Sequence, residues 1–192
     1  PPLQVAPPNA TNPSLRWTSS VGGGLTAVSL GMVFRAPTTE VRALLFVLPA
    51  GFSHELQQQS DLMVTLNGAD YDFPVASEWG RAWIDARRRD SLRVAVAGGA
   101  VIRQGGYTFR FPVRLPQSVP AVNVWKVCLC IAADCDTPEH ASVITIFAIP
   151  GFRIGELYPR LPVSSWARAP SLAALPALAA LLALLTAVLV PL

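Results

Sequence analysis

Lysine is almost missing from this chain. Lys126 is the only one among fifteen basic residues, and with twelve acidic residues the formal net charge is +3. So small a positive balance does not supply the concentrated basic face that nucleic-acid binding needs. Histidine is nearly as scarce, with only His54 and His140. His54 lies between Ser53 and Glu55, but three consecutive side chains cannot form a hydrogen-bonded relay in that order. Gly-x-Ser-x-Gly, His-Glu-x-x-His and a phosphate-binding loop are absent from the sequence. The reading is a protein that is not an enzyme, with no catalytic residues, no cofactor and no resident metal. Long helical periods are also lacking between residues 24 and 158, where Phe52 to Gln59 is the one short candidate.

What is present is a series of short β-like runs separated by Gly, Pro, Asn and Asp. Val28, Leu30, Met32 and Phe34 alternate with smaller residues, the period-two pattern of a half-buried strand. Val41 to Leu48 is nearly all apolar and ends at Pro49, as a strand covered on both faces does. Leu62, Val64 and Leu66 lead into Asn67-Gly68, which has the chemistry of a tight reversal. Further runs are Leu92 to Val96, Tyr107 to Val113, Trp125 to Ile131 and Ser142 to Ile149. Seven or more such runs predict an all-β, antiparallel sandwich over residues 24–158. Residues 1–23 hold the Pro-rich start and Gly22-Gly23-Gly24 follows, so they read as a linker. No charged start followed by an apolar run precedes the domain, so the expectation is a signal peptide already removed or lying upstream.

Two turns echo each other. Leu48-Pro49-Ala50-Gly51-Phe52 and Ile149-Pro150-Gly151-Phe152 both end an apolar strand. The second copy either marks the start of a following module or is simply a similar turn. With Gly-Gly-Tyr-x-Phe at Gly105 to Phe109, Asn-x-Trp-x-Val at Asn123 to Val127 and Gly-Phe-x-Ile at Gly151 to Ile154, the order of motifs resembles a repeated Ig-like module of very large cell-surface proteins of protists, dinoflagellates in particular. The resemblance covers roughly residues 25–158. It implies an extracellular Ig-like sandwich and no catalytic residues.

Candidate sites are few. Cys130 and Cys135 flank Ala132-Ala133-Asp134 and can close a hairpin by a disulfide, leaving Cys128 odd. Buried free thiols, or a zinc site made by Cys128, Cys130, Cys135 and His140, are the alternatives. Asp61, Asn67, Asp70 and Asp72 suit calcium by residue type but also suit ordinary turns. Arg87, Arg88 and Arg89, with Trp79 and Trp83 nearby, form a candidate ligand site for acidic or sulfated glycans, or else a solvated hairpin tip over core tryptophans. Asn9 begins the glycosylation sequon Asn9-Ala10-Thr11.

From Ser171 to Leu192 there is no charged residue. The 19 or so residues from Leu172 to Val190 would make a helix of about 28 Å, close to the hydrocarbon thickness of a bilayer. Residues 159–170 then read as a stalk, and 171–192 as a transmembrane helix or a glycolipid-anchor signal with candidate sites at Ser164, Ser165 and Ala167. A tail anchor is the third possibility, because Arg153, Arg160 and Arg168 precede the run. The function expected is an adhesion or structural module at the cell surface, with a membrane, surface glycans or other extracellular proteins as partners. The alternatives are a glycan- or ligand-binding ectodomain and a tail-anchored intracellular protein.

Overall fold

The computed structural model describes residues 10–76 and 88–155. Asn9, Trp79, Trp83, Arg87, the stalk and the apolar run 171–192 lie outside the described residues. Among the described residues ten strands run in chain order: β1 (Ala10–Trp17), β2 (Leu25–Phe34), β3 (Ala43–Val47), β4 (Ser53–His54), β5 (Met63–Leu66), β6 (Ala69–Asp70), β7 (Ser91–Ala95), β8 (Gly105–Arg114), β9 (Val124–Cys130) and β10 (Val143–Pro150). The described residues contain one turn of 3-10 helix, Gln59–Asp61, and no helix long and apolar enough to cross a membrane. All strand pairs are antiparallel. One sheet has the order β1-β2-β8-β5-β6, with β4 also on β8, and the other has the order β10-β9-β3-β7.

Alternation decides which side chains meet. On β8, Tyr107, Phe109, Phe111 and Val113 are buried, while Arg110 and Arg114 face solvent. Their neighbours on β2 are Val28, Leu30, Met32 and Phe34, all buried. From the second sheet Leu44, Phe46, Leu92, Val94, Trp125, Val127 and Leu129 enter the same core. The sheets touch through rings: Phe46 of β3 lies 5.2 Å from Phe109 and 6.0 Å from Phe111 between centroids. Tilted pairs at this spacing add attraction beyond the area they bury.

The two echoed turns close the same end of this core. Phe52 and Phe152 lie 5.9 Å apart, and both contact Trp125. Trp17 stacks on Phe152 at 4.3 Å. Phe152 and Ile154 are core residues here, so the second turn belongs to this domain. Gly51 has φ +82 at the third position of the Pro49–Phe52 turn, closed by a Phe52 N–H to Pro49 C=O bond of 3.1 Å; a type II turn needs this. Gly151 is there for space, since a Cβ would collide with the Asn123 amide.

The sequence reading and the structure differ in three places. Residues 10–17, read as part of the linker, form edge strand β1, whose pairing with β2 shifts between Thr11 and Ser14, around Pro13. The helical candidate Phe52 to Gln59 begins instead as β4, with the 3-10 turn at its far end. The run read as Trp125 to Ile131 ends at Cys130, with Ile131 exposed, while Cys128 and Cys130 join Ala43, Leu45 and Cys135 in a second apolar layer on the outer face of the sheet.

Replacing Phe46 with Ala should remove the ring shared by Phe109 and Phe111 and cost about 3–5 kcal/mol of stability. Urea titration followed by tryptophan fluorescence measures it, and a loss below about 1 kcal/mol would contradict the central place given to Phe46.

Candidate functional site

Between β4 and β5 the chain leaves the edge of β8, and a proline explains where. Glu55 N–H donates to Pro112 C=O at 2.9 Å, and Asn67 N–H donates to Gly106 C=O at 2.7 Å. Even-numbered residues of β8 therefore point their main-chain groups toward β4 and β5. Pro112 has no N–H to offer on that side. β4 pairs with residues 113 and 114, and β5 resumes only at Arg110. Over the gap lies a surface cleft of about 330 Å³, lined by Leu25, Glu55, Gln57, Gln58, Asp61, Pro112 and Arg114.

Glu55 is the electrostatic centre of this cleft. Its carboxylate accepts from Arg114 Nε at 2.9 Å and from Arg89 at 3.3 Å. The Arg114 hydrogen bond, more than any other contact, holds the Glu55 carboxyl below its usual range. Asp61 accepts from the Gln57 and Gln58 N–H groups at 2.8 and 3.0 Å, and these bonds lower its pKa too. Both acids stay ionised near neutrality, each already held by donors. Ser53 Oγ lies 3.4 Å from Glu55, whereas His54 turns the other way into the core, as alternation along a strand dictates. The cleft offers guanidinium and amide donors beside the exposed Leu25 side chain: the chemistry of a polar contact surface.

The other sequence candidates fall elsewhere. Arg88 pairs with Asp136 of the β9–β10 loop at 3.1 Å, so Arg88 and Arg89 hold two different parts of the chain rather than forming one cationic edge. Cys130 and Cys135 form the expected disulfide, and Cys128 is a buried thiol pushed up to about 11 by desolvation. His140 bonds Ser142 Oγ at 2.7 Å. Asn67 and Gly68 have φ of 52° and 85°, as a two-residue hairpin turn requires, and the Asn67 side chain accepts from Gly106 N–H. Among the described residues no three His, Cys, Asp or Glu side chains are grouped to hold a metal. Asp70 and Asp72 line a separate cleft of about 280 Å³ with Tyr71. Sequence reasoning missed the Glu55–Arg114 pair, whose members are fifty-nine positions apart, and only the proline inside the Tyr107–Val113 run hinted at a break there.

His54 gives a pH signature. It is 1 % exposed, and neither ring nitrogen has a hydrogen-bond partner among the described residues. Burial pushes its pKa below 6.5; the Ser91 main chain opposes this and Arg89 adds to it. The unfolded chain takes up the proton first, so stability is complete above pH 6.5 and falls as pH drops below it, by at most about 1.4 kcal/mol per pH unit. Chemical denaturation between pH 6.5 and 4.5 should show this slope, and His54→Leu should flatten it. An equal slope in the variant would assign the effect to other groups.

No protein-family model matches the chain, and no curated protein matches it by sequence. Among solved structures, the crystal structure of BslA, a bacterial hydrophobin, is similar at 12 % identity and a TM-score of 0.36, over 73 % of this chain and 95 % of that one. At that level of superposition no property of the hydrophobin carries over to this chain.

Proposed function

We propose that this chain is an extracytoplasmic, membrane-anchored Ig-like β-sandwich module with an adhesion or structural role. The Cys130–Cys135 disulfide is the observation that carries the reading. Disulfides persist in secreted and surface proteins and are rare in the reducing cytosol. The uncharged run Ser171–Leu192 supplies the attachment, as a spanning helix or as an anchor signal processed near Ser164, Ser165 or Ala167. The Asn9 sequon fits the same side of a membrane.

Strand order supports the Ig-like part. β1-β2-β8-β5 follows the A-B-E-D order of that architecture, and β10-β9-β3-β7 follows G-F-C-C′. There are three departures. β5 precedes β7 in the chain, so the D-like strand comes before the C′-like one. Trp125, a buried tryptophan, sits on the F-like strand, and the disulfide joins the end of that strand to the following loop rather than one sheet to the other. The filled core, the two held carboxylates and the neutral His54 support a contact role over a catalytic one.

Attachment is tested on intact cells expressing the chain. With a glycolipid anchor, phosphatidylinositol-specific phospholipase releases the domain, and no peptide beyond the Ser164–Ala169 region is found. Resistance to the enzyme with a detectable peptide ending at Leu192 indicates a retained helix. Non-reducing peptide mapping of the same material should find Cys130 linked to Cys135 and Cys128 unlinked. Three free thiols in protein facing the cytosol would overturn the extracytoplasmic reading.

A further inference from the structure

A strand at the rim of a sheet presents unpaired N–H and C=O groups, and proteins guard such rims with charge, proline, bulges, brevity or cover. Most rims of this fold are guarded. β1 carries Arg16 and an irregularity around Pro13. β4 and β6 have two residues each. β7 has five residues with Arg93 at its centre, and the segment around Val75 bridges its outer side. β10 differs. Its eight residues, Val-Ile-Thr-Ile-Phe-Ala-Ile-Pro, include no charge, and proline appears only at the last position. The irregularity in its pairing with β9 is confined to Val143–Thr145, leaving the rest regular.

The pairing also shows which main-chain groups point away from β9, with no partner among the described residues. Gly151 N–H donates to Asn123 C=O, which makes odd-numbered residues the ones bonded to β9. Ile146 and Ala148 therefore aim their N–H and C=O groups off the rim. Both side chains are exposed on the outer face, Ile146 by 47 %. β1 of the other sheet lies beside β10 without pairing to it.

We propose that this rim pairs with β10 of a second copy of the chain, antiparallel about a twofold axis at Phe147. In that alignment Ile146 stands opposite Ala148 of the other copy, and Ala148 opposite its Ile146. The four N–H and four C=O groups so brought together close four hydrogen bonds, and a chargeless strand meets itself with no like charges opposed. Such a contact joins the second sheets of two modules into one continuous sheet of eight strands. It does not depend on how the chain is attached to a membrane, so it stands or falls separately from the anchoring.

The test uses the full chain in detergent, with mass measured by light scattering during size exclusion. Wild type should have the protein mass of two chains. The double variant Ile146→Lys/Ala148→Lys sets lysine against lysine and should halve that mass. Ile146→Lys/Ala148→Glu sets opposite charges across the rim and should restore it. Unchanged far-ultraviolet circular dichroism shows that each variant is folded. A wild type that is a single chain overturns the proposal, as does a double-lysine variant that stays paired. If both double variants are single chains beside a paired wild type, the proposed alignment is overturned.

Discussion

Two sheets stay together here because aromatic rings from one fill the space left by the other. No described disulfide joins the sheets, since Cys130 at the end of β9 bonds to Cys135 in the following loop. Phe46 between Phe109 and Phe111, and Trp125 against Phe52 and Phe152, therefore carry the contact that a bond between sheets would otherwise reinforce. Burial of this kind has no direction, so exact positions are set by strand alternation and by the turns at each end. That gives the two Pro-Gly-Phe turns a common purpose: each brings a phenylalanine to the same tryptophan.

The parts of the fold legible in the sequence are those where one strand carries its own pattern. Tyr107 to Val113 alternates plainly and its buried members are the expected ones, and Trp125, Val127 and Leu129 are buried as their alternation predicts. Asn67-Gly68 announces its turn because few residues tolerate positive φ twice running. β1 was hidden because Asn12-Pro13 reads as a breaker, although an edge strand tolerates a proline where its pairing shifts. β4 is too short to show a period, and its place is fixed by β8, not by its own residues.

The candidate site was less legible for a similar reason. A cleft arises where partners distant in sequence diverge, and no local pattern records that. Glu55 was read only as the neighbour of Ser53 and His54; its two arginines come from β8 and from the segment before β7. Arg88 and Arg89 looked like one patch but point to Asp136 and Glu55, because they sit in the turn closed by Ser91 N–H to Arg88 C=O. The cysteines were readable as a pair because five positions suffice to turn the chain. The layer they build over Ala43 and Leu45 could be foreseen only by knowing that β3 lies beside β9.

That outer layer leaves Cys128 sealed beneath it as a protonated thiol. A thiol in this state does not react with alkylating reagents until the layer opens and water reaches the sulfur. The sulfur is thus an internal clock for the opening of one sheet face, separate from unfolding of the aromatic core. Its rate of labelling, timed against global unfolding, would resolve whether the outer layer and the core of this protein loosen together or in sequence.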